Sequence, residues 1–81
     1  MPVEHFREKI DRVDGRILEL IEERVDIARK IGTIKRKKGL PIVDQEREQK
    51  ILSNVTGKTR LNKQFVKQIF REIMEYCREN E

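Results

Sequence analysis

At 81 residues the chain makes one domain with a high ratio of surface to volume, so its core is small unless a second chain adds to it. Charged residues make up 42% and hydrophobic residues 36%, which is closer to long helices and coiled coils than to a compact mixed domain, and the apolar residues are too regularly spaced for a disordered chain. The net charge of +4 favours an anionic partner, with nucleic acid, membrane surface and small polycarboxylates all fitting, while the single Cys77 and the single His exclude an intramolecular disulfide and a Cys/His zinc site.

From Val3 the sequence runs Val3, Phe6, Ile10, Val13, Ile17, Leu20, Arg24, Ile27, Ile31, Ile34 in an unbroken alternation of three and four. All but Arg24 are apolar. That is the a/d pattern of a helix-helix seam, widened by Ile21 and Ala28. Pro2 suits a first helical position and Gly39 the residue just past the end, so the first helix is predicted over about 2–38. The run Lys35, Arg36, Lys37, Lys38 then occupies a last turn, where positive charge complements the helix dipole.

Leu40-Pro41 breaks the chain, and Asp44 offers an N-cap for a second helix over about 44–56 with the stripe Glu48, Ile51, Leu52, Val55. Leu61-Asn62 reads as a staple residue and N-cap for a third helix over about 62–80. It carries Phe65, Val66, Ile69, Phe70, Ile73, Met74 and Cys77 on one side. No strand pattern, repeat or low-complexity segment is present. No apolar run is long enough for a signal peptide or a membrane span, so the expected location is the cytoplasm.

A first helix of this length spans roughly 50 Å, which the two shorter helices of one chain cannot cover. The expected architecture is all-α, with one long and two shorter helices per chain in an intertwined homodimer.

Several polar residues stand where apolar ones belong. Arg24 interrupts the seam, where a charge is costly unless paired or solvated. Two readings stand: a polar residue that sets the register of the seam, or a cation lining a cavity that holds an anion. Lys35, eleven residues on, projects within about 20° of Arg24 and roughly 16 Å further along the axis, so the two can flank one small ligand. Arg47 and Glu48 border the apolar stripe of the second helix. Glu81 stands four residues beyond Cys77, as a functional group or as a frayed end. Arg7 is roughly 42 Å from Lys35 along the helix and reaches the same site only from a second, antiparallel copy.

The segment "REKIDRVDGRILELIEERVDIARKIGTIKRKKGLPIVDQEREQKIL" resembles the first two helices of the all-helical chorismate mutases. It carries R-x-x-I-D-x-x-D, E-R, a lone K and P-I-x-D-x-x-R-E in order, and the likeness extends over nearly the whole chain as one domain, 1–81. The resemblance implies an intertwined dimer, a six-helix bundle with two active sites. It implies an isomerase that rearranges chorismate to prephenate on the way to phenylalanine and tyrosine, without cofactor, metal or covalent intermediate. Carried over, Arg24 and Arg7 of the other subunit bind the two substrate carboxylates, with Arg47 assisting. Glu48, with the Asp44 region alongside, accepts the ring hydroxyl. Lys35 donates to the ether oxygen.

Many relatives have Ser and, four residues on, Gln on the last buried turn, where this chain has Cys77 and Glu81. Cys77 fills the place of Ser as a small buried residue. An ionised carboxylate cannot donate a hydrogen bond, so Glu81 must carry a proton to act on the ether oxygen. Activity is therefore expected to fall as pH rises, and Glu81→Gln to remove the fall.

Two other functions remain open at this point. An isochorismate pyruvate-lyase of the same fold shares the cationic site, although the aspartate and glutamate of P-I-x-D-x-x-R-E suit the mutase. A basic helical dimer that binds nucleic acid explains the charge and Lys35 to Lys38, but leaves Arg24 in the seam unexplained; the expectation is no nucleic acid and no membrane partner.

Overall fold

The computed structural model describes residues 2–81, and these form three α-helices and no strand. Helix α1 runs Pro2–Lys38, α2 Gln45–Gly57 and α3 Lys63–Glu79. The capping residues account for these limits. Gly39 adopts φ 68°, a left-handed conformation open to glycine, and directs the chain out of α1. The Asp44 side chain accepts from the Arg47 amide at 3.0 Å and starts α2, and Asn62 does the same for Phe65 at 3.0 Å and starts α3. Basic residues fill the last turn of α1, where the carbonyls point outward.

Helix α1 accounts for the elongated shape, 57 × 24 × 16 Å. Only its C-terminal part is covered by the rest of the chain. Helix α3 packs on α1 and on α2, and the small core is Val25 and Ala28 of α1 against Cys77, flanked by Ile21 and Ile73. Leu52, Val66 and Met74 are also buried.

The seam residues fall outside this core. Val3, Phe6, Ile10, Val13, Ile17, Leu20, Ile27, Ile31 and Ile34 are all exposed, with 45–61% of their surface accessible. The face that α1 turns to its own chain is the neighbouring row, Ile21, Val25, Ala28 and Gly32, which the periodicity registers only as a widening of the seam. On α3, Val66, Met74 and Cys77 are buried as expected. Phe65 is instead exposed and Ile69 marginally so, because one face of α3 cannot contact α1 and α2 across its whole apolar width. Glu81 is not on the last turn of a helix: α3 stops at Glu79, Asn80 caps it, and Glu81 follows as a half-buried residue.

No helix among the described residues is long and apolar enough to cross a membrane.

Candidate active site

The three helices enclose an open cavity of about 380 Å³ where the C-terminal half of α1 faces the start of α2 and the end of α3. Arg24 and Lys35 line it from α1, Asp44, Arg47 and Glu48 from the start of α2, and Cys77 and Glu81 from the end of α3. Its apolar wall is Ile27, Ala28, Ile31, Ile42, Ile51 and Met74. Seven of the eight residues singled out from the sequence thus share one space. Arg7 does not. It lies seventeen residues before Arg24, roughly 25 Å along α1, and makes an exposed ion pair with Glu4 at 2.8 Å.

Each side chain has a local reason for its position. Arg24 leaves α1 toward α3, and its Nη1 donates to the Cys77 Sγ at 3.1 Å. Cys77 is buried, so it offers a soft acceptor at the cavity wall that leaves the remaining guanidinium donors free for a ligand. Lys35 turns inward from the basic last turn of α1, and its Nζ donates to the Ile42 carbonyl at 3.1 Å, fixing the connection between α1 and α2 to the cavity. Lys37 and Lys38 are exposed, as an ordinary helix end requires.

Glu48 lies in the first turn of α2, where the helix dipole favours a carboxylate. Its Oε2 accepts from Nη1 of Arg78 on α3. Arg78 also lines the cavity and is the residue that the sequence reading missed. The hydrogen bond to Glu48 raises the pKa of Arg78 above its ordinary value; desolvation opposes this, and the charges of Glu48, Glu75 and Glu79 reinforce it. Its guanidinium therefore keeps its charge at every pH of interest. A signal was present in the sequence: Arg78 stands four residues beyond Met74 on the apolar face, the same kind of anomaly as Glu81 beyond Cys77.

The Glu81 carboxyl completes the lining. Its Oε2 is buried without a hydrogen-bond partner, the one such side-chain atom among the described residues. A buried polar atom left unpaired costs free energy, and such atoms concentrate where a ligand or a proton supplies the missing partner. The cavity thus carries Arg24, Lys35, Arg47 and Arg78 against Asp44, Glu48 and Glu81. It can hold a small anion through guanidinium and ammonium groups and still present carboxylates to a hydroxyl.

Cations and carboxylates from three helices thus meet in one cavity of an all-helical chain. Comparison with known proteins gives its family. The chorismate mutase type II family model matches residues 6–81, and the chain belongs to this family. It is 38% identical to the bifunctional chorismate mutase/prephenate dehydratase of Aquifex aeolicus over 84 aligned positions, which cover 93% of this chain and 22% of that protein. It is 45% identical over 50 residues to the chorismate mutase of Methanocaldococcus jannaschii, covering 62% of this chain and 50% of that one. The chain therefore spans between about a fifth and a half of these two curated relatives. The fold matches the structure of chorismate mutase from Thermus thermophilus with a TM-score of 0.91 at 28% identity, over 95% of this chain and 99% of that one.

Proposed function

We propose that residues 1–81 form a chorismate mutase domain, an isomerase that rearranges chorismate to prephenate in phenylalanine and tyrosine biosynthesis in the cytoplasm. The observation that carries this reading is the meeting of Arg24, Lys35, Arg47, Glu48 and the unpaired Glu81 in one cavity of a chain that belongs to the chorismate mutase type II family.

The rearrangement is unimolecular. It breaks a C–O bond and forms a C–C bond in one step, so it calls for no nucleophile. What a protein supplies is a compact substrate conformation with the reacting ends together, and stabilisation of the negative charge that grows on the ether oxygen. Arg24 takes one carboxylate of the substrate, with Arg47 beside it, as the guanidinium fork suits a planar carboxylate. Glu48 and the Asp44 region accept the ring hydroxyl. Lys35 donates to the ether oxygen from one side and a protonated Glu81 from the other, while Cys77 holds Arg24 in place.

The working form is a homodimer. The nine exposed apolar seam residues of α1 support this, because a contiguous apolar stripe of that length is unfavourable in water and self-complementary in an antiparallel helix pair. In such a pair Arg7 of a second copy approaches the interval between Arg24 and Lys35 and supplies the second carboxylate contact. The two long helices and four shorter ones then make a six-helix bundle with two shared sites and a small dicarboxylate, not nucleic acid or a membrane, as ligand.

The test is loss of chorismate absorbance with purified protein, with prephenate identified as product and Arg24→Ala as the control. Turnover that disappears in the variant supports the reading. Absence of turnover in the parent protein overturns it.

A further inference from the structure

Gly32 is the one helical glycine whose missing side chain matters to another part of the chain. A Cβ built there falls 2.7 Å from the Glu81 Cβ, and 3.2 Å from both its Cγ and its carbonyl oxygen, whereas a Cβ at Gly15 or Gly57 meets nothing. Glycine is a poor residue for a helix interior, and its use at a buried position of α1 requires a compensating close approach. The group that approaches is Glu81.

One turn further along the same face, Arg36 Nη1 donates to the Glu81 carbonyl oxygen. One turn earlier, Arg29 Nε donates to the Asn80 carbonyl at 3.3 Å. Residues 29, 32 and 36 are spaced by three and four, so they form one strip of α1. Thr33 joins the two arginines, donating to the Arg29 carbonyl at 3.0 Å and accepting from Arg36 Nη2 at 3.4 Å. Glu81 has no helix of its own to orient it, since α3 ends at Glu79 and the local tie is a long bond of 3.4 Å from its amide to the Arg78 carbonyl. Its orientation therefore comes chiefly from α1.

We infer that Gly32 and Arg36 are positioning residues that form a seat on α1 for Glu81 and so aim its carboxyl into the cavity. Gly32 supplies the space and Arg36 the anchor. The run of basic residues at the end of α1 thus has two members with different tasks at the site: Lys35 lines the cavity, and the exposed Arg36 holds the backbone of the residue that lines it from the other side.

This inference rests on the mutase reading for the role of Glu81, but the seat itself is open to a separate measurement. In full-length protein, amide hydrogen exchange at residues 79–81 is compared between the parent, Arg36→Met and Gly32→Ala, with the Met74 amide as an internal reference. Exchange at least tenfold faster at 79–81 with Met74 unchanged is expected. Unchanged exchange at 79–81 overturns the seat whether or not the protein turns over chorismate.

Turnover is then measured for each variant alone and combined with Glu81→Ala. The expected result is a kcat lowered about tenfold with KM changed much less, and no further loss when the substitution is combined with Glu81→Ala. Equal losses with and without the Glu81 side chain reduce Gly32 and Arg36 to general packing residues and overturn their positioning role. If Gly32→Ala does not fold, Arg36→Met decides both measurements, because Arg36 is exposed and its aliphatic stem is retained.

Discussion

The guanidinium of Arg78 is bonded to the carboxylate of Glu48, joining the end of α3 to the start of α2 across the wall of the cavity. This pair fixes the Glu48 carboxylate in place and offsets its negative charge toward an incoming dianion. Arg78→Met is expected to raise KM for chorismate about tenfold, a change of ~1.4 kcal/mol in binding, because an uncompensated carboxylate is left facing the substrate. Arg78→Lys should recover only part of the loss, having no planar fork. Steady-state kinetics alongside thermal unfolding separates this from destabilisation, since a partly exposed ion pair contributes about 1 kcal/mol or less to folding.

Removal of the Arg24 guanidinium is the most damaging change expected in the cavity. Arg24→Ala should lower kcat/KM by roughly a hundredfold or more while the circular dichroism spectrum stays helical. Arg24→Lys should also be severely impaired, because an ammonium has no planar fork for the bidentate contact. A lysine variant with parent activity would remove Arg24 from carboxylate recognition.

Substitution of Glu81 tests its part as a donor. A carboxyl donates a hydrogen bond only in its protonated form, whereas an amide always donates, so Glu81→Gln is expected to keep or raise kcat and Glu81→Ala to lower it about tenfold. Equal turnover of the parent protein and Glu81→Ala would count against a donor role.

Assembly has its own test. Leu20→Glu puts a charge on the exposed seam, and the expected result is a smaller species in sedimentation experiments together with lost turnover. Complementation is the sharper version. Arg7→Ala and Arg24→Ala chains, each inactive alone, should regain about a quarter of parent activity when unfolded and refolded together in equal amounts. Half of the dimers are then mixed, and each mixed dimer has one intact site of its two. No recovery would place Arg7 outside the shared site.

The helices were legible because the apolar spacing, Pro2, Gly39, Asp44 and Asn62 are local signals that neighbouring residues read directly. The site was legible where a charge broke an apolar pattern, as at Arg24, Glu48 and Glu81. Two things were hidden for physical reasons. Periodicity shows that a face is apolar but not which of two adjacent rows meets the same chain. The row Val25, Ala28, Gly32 is the one α3 uses, because its small side chains allow close approach. Pairings between elements, such as Arg78 with Glu48 and Gly32 with Glu81, depend on where α3 crosses α1 and α2, which no single stretch of sequence records.

The bond from Lys35 to the Ile42 carbonyl reaches from the last turn of α1 to the segment that follows it. An ammonium carries three protons, so one can bind the loop while the others face the cavity. The segment between α1 and α2 is thereby a wall of the pocket as well as a covalent link. Pro41 has a fixed φ, which narrows the backbone freedom beside the carbonyl that the ammonium holds. The link that lets the chain turn back on itself also restrains its lysine.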